Sequence, residues 1–259
     1  MKRKIVITGA ASGIGRATKA RLDAQGHRVI GVDLKGSDVT ADLERPAGRS
    51  GMVEEIAALT GGCIDAVIAI AGIPGPADPA RLLAVNYFGA VATLELLRPL
   101  LARSSAPRAV AITSTASLTD YDPDLAETCL AGEEAVALAA AAGVEPMAAT
   151  GYATSKHALA RWLRQAAISP EWAGSGILLN GVAPGRTLTP MTEPFFATEK
   201  GRAMLDQATP IALSDCPYGK AEDLAEVIAF LATLEGRYLV GQILYVDGGT
   251  EAIRRPAQI

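Results

Sequence analysis

The feature that most constrains the fold is a glycine-rich loop between a strand and a helix near the start of the chain. The apolar run Lys4–Thr8 predicts a strand, and residues 13–25 predict a helix that Gly26 ends. Glycines at such a junction let backbone N–H groups approach a ligand closely, and the positive end of the helix dipole favours an anion. The loop therefore predicts a pyrophosphate site. Its residues are Gly9, Ser12, Gly13, Ile14 and Gly15.

Strand and helix patterns alternate along the rest of the chain. Such alternation is typical of βαβ units, in which helices cover both faces of a parallel sheet. We expect one dinucleotide-binding domain over residues 1–259, an α/β Rossmann-type fold with a doubly wound, seven-stranded parallel sheet. The predicted strands are 4–8, 28–33, 39–42, 64–71, 109–114, 176–182 and 242–247, and the predicted helices are 13–25, 50–59, 79–101, 150–172 and 221–234.

Two segments fall outside this alternation. Residues 121–149 are rich in Glu and Ala and lie between a predicted strand and a predicted helix, so we expect an insertion of one or two surface helices. Residues 187–219 contain several prolines and the adjacent Phe195 and Phe196. Because long irregular loops in compact domains often close over ligands, we expect this segment to be an irregular, mobile substrate lid.

Composition and charge disfavour several classes of function. A net charge of −4 and a pI near 5.3 leave no basic face for nucleic acid. The Ala-rich run 131–149 contains charged residues and a proline, and the apolar run after Lys4 is too short for a signal sequence, so we expect a cytoplasmic protein without membrane contact. Cys63, Cys129 and Cys216 lack metal-ligand spacing, so we expect reduced thiols and no metal site.

Asp33 indicates which dinucleotide the loop would bind. It ends the second predicted strand, about 20 residues beyond the glycine loop, where a carboxylate can accept the ribose hydroxyls of NAD. The same charge would repel the 2′-phosphate of NADP. A loop-capping role for Asp33 is the alternative, and Arg28 and Lys35 leave a basic phosphate partner open. We expect NAD.

Tyr152 and Lys156 form a candidate acid/base pair. They are four residues apart in a helical pattern, so the phenol and the ammonium share one helix face. A free tyrosine has a pKa of about 10, and an ammonium nearby favours the phenolate and lowers that pKa toward the range useful for proton transfer. By itself the spacing is common on solvated helix faces. Its weight comes from the motifs around it.

Across nearly its whole length the sequence resembles the short-chain dehydrogenase/reductase family. Several segments carry the resemblance in the family's order along the chain. They are Thr8–Gly15, Val85-Asn86, Ile112-Thr113-Ser114, Tyr152 with Lys156, Asn180-Gly181-Val182-Ala183-Pro184-Gly185 and Val246-Asp247-Gly248-Gly249.

The resemblance implies a role for each matching position. Tyr152 would donate and accept the proton, and Lys156 would hold the nicotinamide ribose and lower the tyrosine pKa. Ser114 would hydrogen-bond the substrate oxygen, and Asn86 would seat a water that relays the proton outward. The remaining cofactor contacts would be Asp42 and Leu43 at the adenine, Ala71 and Gly72, and Pro184, Gly185, Thr187 and Thr189 at the nicotinamide end.

The sequence also departs from the family pattern. Ile70 replaces the first residue of the family's Asn-Ala-Gly, so a polar contact that braces the sheet is missing. The 38 positions from Ser114 to Tyr152 far exceed the family's usual spacing, because of the insertion at 121–149. A bacterial subgroup of 3α-hydroxysteroid dehydrogenases/carbonyl reductases is similar in this respect, and coniferyl-alcohol dehydrogenases are also similar.

This subgroup and the lid composition indicate a bulky apolar alcohol or ketone as substrate. Met191, Phe195, Phe196, Met204 and Leu205 would give a closing loop an apolar inner face, although they could equally pack the lid onto the domain. A dinucleotide-binding sensor without turnover and an enzyme of sugar-nucleotide epimerisation or dehydration are the other classes considered. The intact Ser/Tyr/Lys set disfavours the former, and the short C-terminal part disfavours the latter.

The insertion also bears on assembly. In the family, subunits commonly pair through the helices that contain Tyr87 and Tyr152. Because the insertion could cover that surface, we expect a homodimer that uses the last helix and the final strand instead, with a tetramer as the alternative.

Overall fold

A seven-stranded parallel sheet forms the centre of the structure, a computed structural model that describes residues 2–142 and 150–258. The strands are β1 (Lys4–Thr8), β2 (Arg28–Asp33), β3 (Val39–Thr40), β4 (Ala66–Ala69), β5 (Arg108–Ile112), β6 (Leu178–Pro184), β7 (Thr187–Leu188), β8 (Gly219–Lys220) and β9 (Ile243–Val246). Their order in the large sheet is β3-β2-β1-β4-β5-β6-β9, and β7 pairs with β8 separately. The strand order reverses between β1 and β4, which confirms the predicted Rossmann-type fold.

Helices cover both faces of this sheet, as predicted. They are α1 (Gly13–Ala24), α2 (Pro46–Thr60), α3 (Pro79–Leu82), α4 (Ala90–Leu101), α5 (Pro123–Leu130), α6 (Glu134–Ala141), α7 (Thr150–Ala167), α8 (Glu193–Phe196), α9 (Glu199–Ala208), α10 (Ala221–Thr233) and α11 (Thr250–Arg254).

The two faces of the sheet bury separate clusters of apolar side chains. Because side chains alternate along a strand, Ile5 and Ile7 of β1 pack on one face and Val6 packs on the other. Leu22 of α1 joins the first cluster, and Leu163 of α7 joins the second. Burial of each such aliphatic side chain contributes roughly 1.5–3 kcal/mol to the free energy of unfolding. The two clusters therefore fix the position of the strands, whose carboxyl ends form the cleft.

Several element boundaries differ from the sequence prediction. Helix α2 begins at Pro46 rather than residue 50, since proline at the first helical position has no N–H bond to lose. Helix α7 ends at Ala167 rather than 172, because Pro170 disfavours helical backbone at the residue before it. Strand β6 runs two residues later than predicted, after Gly176 turns with a left-handed φ of 75°. Strands β3, β4, β5 and β9 are shorter than predicted, and β5 also starts at Arg108, one residue earlier.

One long helix runs from Pro79 to Leu101 as predicted, but its middle is π-helical over Leu83–Gly89. By length and apolar composition this 23-residue stretch could cross a membrane, yet 61% of its most apolar window is buried inside the fold, as in a core helix. The π segment contains Asn86, one of the predicted site residues. Such segments are frequent at functional sites.

The insertion contains two helices, α5 and α6, and its residues 143–149 lie outside the described part of the chain. The prediction of surface helices is only half right, because the inner faces of both join the core. Leu125 and Cys129 of α5 and Ala137 of α6 are fully buried there. Burial raises the pKa of the Cys129 thiol to about 12, so this cysteine is an unreactive packing residue.

Residues 187–219, the predicted lid, are more regular than expected. Helix α9 spans ten residues and begins where the Thr198 side chain accepts a hydrogen bond from the Gly201 N–H. The short strands β7 and β8 pair at the two ends of the lid. Pairs of such distant short segments have little local signature, so the sequence pattern did not predict them.

Candidate active site

An open cleft lies at the carboxyl ends of the strands, beside the reversal of strand order between β1 and β4. This is the position at which doubly wound sheets bind ligands. All residues predicted to contact the cofactor line the cleft, and so does Ser114. They are Gly9, Ser12, Gly13, Ile14, Gly15, Asp33, Asp42, Leu43, Ala71, Gly72, Tyr152, Lys156, Pro184, Gly185, Thr187 and Thr189.

The glycine loop forms one end of the cleft floor. Gly9 has a φ of 72°, and a Cβ at Gly15 would lie only 1.9 Å from the Gly9 carbonyl oxygen. Side chains at these two positions are therefore excluded, and the loop backbone stays open toward the cleft. Helix α1 starts at Gly13 and directs its N-terminus at the same space. The loop fits the pyrophosphate of a dinucleotide.

Asp33 is held against this loop by its own carboxylate. One carboxylate oxygen accepts the Ala11 N–H at 2.9 Å, and the other accepts the Leu34 N–H at 2.7 Å. Each oxygen keeps a further acceptor site that can bind a ribose hydroxyl. Arg28 lies at the opposite end of β2 and donates to the Leu59 carbonyl. Its guanidinium is therefore not beside the Asp33 carboxylate, where a 2′-phosphate would lie.

Three polar side chains meet at the other end of the cleft. Tyr152 and Lys156 project from α7, and Ser114 follows β5. The Lys156 ammonium donates to the Ile112 carbonyl at 2.9 Å and lies 5.9 Å from the centre of the Tyr152 ring. Ser114 lies close enough to Tyr152 for its hydroxyl to lower the pKa of the phenol.

The electrostatics of this group differ from the expectation that Lys156 lowers the tyrosine pKa. Burial raises the pKa of Tyr152 above its usual value, and the nearby Ser114 hydroxyl opposes that rise. Burial lowers the pKa of Lys156 to about 8. Desolvation outweighs charge attraction here because the ammonium is bonded to the Ile112 carbonyl rather than to the phenol. At neutral pH the site therefore holds a protonated phenol beside an ammonium.

Asn86 lies outside the described residues that line the cleft. Its side chain is fully buried, with the amide oxygen accepting the Ile73 N–H at 2.8 Å and the amide nitrogen donating to the Ile73 carbonyl at 3.0 Å. The side chain thus fixes the loop after β4, and the water-seating role expected for Asn86 stays a prediction. At Ile70, the Thr8 hydroxyl joins β1 to the loop after β4 by accepting the N–H groups of Ile70 and Ala71 at 3.2 and 3.3 Å.

Further contacts fix the backbone at Ser114. The Ser117 hydroxyl donates to the Ser114 carbonyl at 2.7 Å, and the Ser117 carbonyl contacts Nδ1 of His157 at 3.1 Å. The His157 ring stacks on Tyr121 with centroids 3.6 Å apart. The sequence analysis missed these contacts because they join three separate segments. Other cleft residues that it missed include Arg81, Thr113, Pro190 and Thr192, whereas Met191, expected on the inner face of the lid, does line the cleft.

The cleft thus combines a glycine loop and an Asp33 carboxylate that fit a dinucleotide with a hydroxyl, a phenol and an ammonium at one end. A phenol and a serine hydroxyl that line the same end of a cleft can both reach one substrate oxygen, and the phenol can exchange a proton with it. Within residues 2–142 and 150–258, no group of three or more His, Cys, Asp or Glu side chains could hold a metal ion.

Comparison with known proteins shows full-length relatives. A family model described as enoyl-(acyl carrier protein) reductase matches residues 128–251. The 3-alpha-hydroxysteroid dehydrogenase/carbonyl reductase of Comamonas testosteroni is 36% identical, with 98% of each chain covered. The cis-4-hydroxycyclohexanecarboxylate dehydrogenase of Sinomonas cyclohexanicum is 32% identical, covering 97% of this chain and 98% of that protein.

A solved structure is also similar. It is the 3-alpha-hydroxysteroid dehydrogenase from Pseudomonas sp. B-0831 complexed with NADH, which superimposes with a TM-score of 0.87 at 34% identity and covers 99% of this chain and 100% of that one.

Proposed function

Because the chain belongs to the short-chain dehydrogenase/reductase family, a family of nicotinamide-dependent oxidoreductases, we propose that it moves a hydride between NAD and the alcohol or ketone carbon of a bulky apolar substrate. The observation that carries this proposal is the meeting of Ser114, Tyr152 and Lys156 at one end of a dinucleotide-shaped cleft. We further propose that residues 1–259 form one domain, with residues 121–149 as its insertion and 187–219 as its lid.

In this proposal side chains of the protein donate and accept the proton that accompanies the hydride. The Ser114 hydroxyl hydrogen-bonds the substrate oxygen and orients it toward the phenol. During ketone reduction Tyr152 gives its proton to that oxygen, and during alcohol oxidation it takes the proton back. The cofactor, when bound, supplies or accepts the hydride at the substrate carbon. The Lys156 ammonium favours the phenolate left behind and holds the ribose next to the nicotinamide.

The preference for NAD rests on Asp33. Its carboxylate is fixed by two backbone N–H groups at the end of β2, so it cannot swing away from a 2′-phosphate. Repulsion would disfavour NADP, and the relative solved with NADH supports the same choice. Measuring kcat/KM with both cofactors tests this: a preference for NAD is expected, and NADP preferred by more than tenfold would overturn the assignment.

The proposed substrate class is an apolar alcohol of steroid or aromatic size, with a coniferyl-type alcohol as the alternative. Met191, Ile70 and Ile73 all line the cleft, so its walls offer apolar contact. Phe196 instead packs edge-on against Tyr218 within the lid. Both dehydrogenase relatives are named for a hydroxyl on a carbon ring, which supports a cyclic secondary alcohol.

A screen across steroids, hydroxycyclohexane derivatives, coniferyl alcohol and small polyols tests this substrate class. Turnover of the ring alcohols or their ketones is expected. Turnover of polyols alone would overturn the proposal.

We also propose a cytoplasmic homodimer formed through α10 and β9. Helices α5 and α6 pack against α7 and the π segment, which covers the surface that the family commonly uses. Strand β9 is an edge strand of the sheet, and Phe230 of α10 and Tyr238, five residues before β9, are exposed. Light scattering tests this assembly: a dimer is expected, and a tetramer would contradict it.

A further inference from the structure

Arg49 on α2 is a buried cation outside the catalytic group. Its side chain is 5% exposed. Nε donates to the Leu43 carbonyl at 2.7 Å, and Nη2 donates to the Ala84 carbonyl at 3.0 Å and reaches the Glu44 carbonyl at 3.3 Å. A guanidinium surrounded by carbonyls is costly to desolvate, so a counter-charge is needed.

Glu134, the first residue of insertion helix α6, supplies that charge. Its two carboxylate oxygens accept Nη1 and Nη2 of Arg49 at 2.7 and 2.8 Å. This is the bidentate geometry that makes Arg–carboxylate pairs strong and directional. Glu134 keeps 25% of its side chain exposed, so the pair is only partly shielded from solvent. Among the described residues, this is the one ion pair that joins the insertion to α2.

The carbonyls that Arg49 holds belong to a wall of the cleft. Asp42, Leu43 and Glu44 line the cleft at the end predicted to take the adenine. The wall is tightly seated, because a Cβ at Gly48 would lie 2.2 Å from the Asp42 carbonyl oxygen and one at Gly89 would lie 3.1 Å from the Leu43 carbonyl oxygen. A shift of Arg49 would therefore move the backbone that contacts the cofactor.

We propose that Arg49 is a positioning residue for the adenosine half of the cofactor, and that Glu134 sets the affinity for this half from the insertion. The inference rests on the proposed function, because it requires the cleft to bind NAD. It gives the inserted helices a role in cofactor binding in addition to covering a subunit surface. Without the Glu134 carboxylate the guanidinium turns toward solvent, and the wall at Leu43 loses its donor.

Binding of the two halves of the cofactor separates this role from general stability. Calorimetry on the full chain compares ADP with reduced nicotinamide mononucleotide, for the wild type and for E134Q. Gln keeps the size of Glu134 but removes its charge. We expect E134Q to weaken ADP binding about tenfold and to leave binding of the reduced mononucleotide within twofold. Equal weakening of both ligands, or unchanged ADP binding, would overturn the inference.

A matched control uses a second ion pair of the insertion. Glu127 on α5 pairs with Arg161 on α7, away from the cleft wall. E127Q is expected to leave ADP binding unchanged. If E127Q weakened ADP binding as much as E134Q, a general loosening of the insertion would explain both results and the inference would fall.

A second variant tests Arg49 itself. R49K keeps the charge but cannot donate to Glu134 and the carbonyls together, so it is expected to weaken ADP binding at least as much as E134Q. Unchanged ADP binding in a folded R49K would overturn the inference. Wild-type protein that bound neither ligand would overturn the proposed function as well, whereas wild-type binding with no effect of E134Q would overturn this inference alone.

Discussion

The floor of the cleft and the lid above it are built in opposite ways. Nine of the 18 residues of α7, which carries Tyr152 and Lys156, are buried, and all seven residues of β6 are buried beside it. In the lid, none of the described residues of α8 or α9 is buried. The groups proposed to do chemistry thus sit on core elements, while Met191, proposed to contact the apolar part of the substrate, lies in a lightly packed segment.

This difference separates two demands on one site. Proton transfer needs the phenol and the serine hydroxyl at fixed positions, which packing of α7 against the sheet provides. A bulky substrate needs a wall that can adjust, and segments with few buried contacts open at low cost. The comparison predicts that stability depends on the floor and that substrate affinity depends on the lid.

The largest expected effect comes from truncating one leucine in each region. Leu163 of α7 is fully buried, whereas Leu213 of the lid is 53% exposed. Leu163→Ala should lower the free energy of unfolding by roughly 2–5 kcal/mol because it leaves a cavity. Leu213→Ala should lower it by less than about 0.5 kcal/mol. Urea unfolding measures both, and equal losses would remove the distinction between floor and lid.

The Gly15 position of the glycine loop should tolerate no side chain. A Cβ at Gly15 would lie 1.9 Å from a backbone oxygen, so Gly15→Ala should cost roughly 1–3 kcal/mol of stability and weaken NADH binding. Gly51 in α2 is the matched control, since nothing lies within 4 Å of its Cβ position. Gly51→Ala should stabilise the protein by about 0.5–1 kcal/mol. Thermal unfolding measures both stabilities, and NADH fluorescence measures cofactor binding. Equal stability and NADH binding in the two variants would contradict the prediction.

The pH dependence of ketone reduction tests the charge at the floor. Burial raises the pKa of Tyr152, so the phenol keeps its proton, while burial lowers the pKa of Lys156 to about 8. Lys156 is charged below its pKa and loses its charge as the pH rises through it. We expect kcat/KM to be level below about pH 7 and to fall about tenfold per unit above pH 8.

Lys156→Arg serves as the control for that profile. Arginine keeps its charge at all these pH values, so this variant should lose the decline above pH 8 even if its overall rate is lower. A wild-type profile that stays level to pH 10 would show that the Lys156 charge does not limit the reaction.

The smallest expected effect lies in the lid. Met191 lines the cleft and is 39% exposed. Met191→Ala should raise KM for a bulky apolar substrate about threefold through lost apolar contact, with kcat and NADH affinity unchanged. Leu59→Ala, with a side chain 42% exposed on α2, is the control that should leave KM unchanged. A fall in kcat for Met191→Ala would instead assign the lid to the chemical step.

Features with a local signature could be predicted from the sequence. The loop at Gly9–Gly15, the strand that ends at Asp33 and the helix that carries Tyr152 depend on spacing within a few residues, and the structure contains each of them. Because parallel strands end at one edge of the sheet, their order along the chain was enough to expect these residues at a single cleft.

Features that depend on tertiary contacts were not predictable. The Asn86 side chain turns to Ile73 rather than to the cleft, and the pKa of Tyr152 rises because of burial that no spacing reveals. The Arg49–Glu134 pair joins residues 85 positions apart, and nothing in either segment indicates its partner. Such contacts depend on how helices pack, which the period of apolar residues fixes only approximately.

The central claim is that Tyr152 transfers the proton that accompanies the hydride. Single-turnover oxidation of NADH by a ketone substrate, compared between wild type and Tyr152→Phe, tests this most directly when NADH binding is measured on the same samples. The account predicts a rate lower by about 10²–10⁴ in the variant, with the NADH dissociation constant within twofold of wild type. A variant that retained a rate within tenfold of wild type would contradict it.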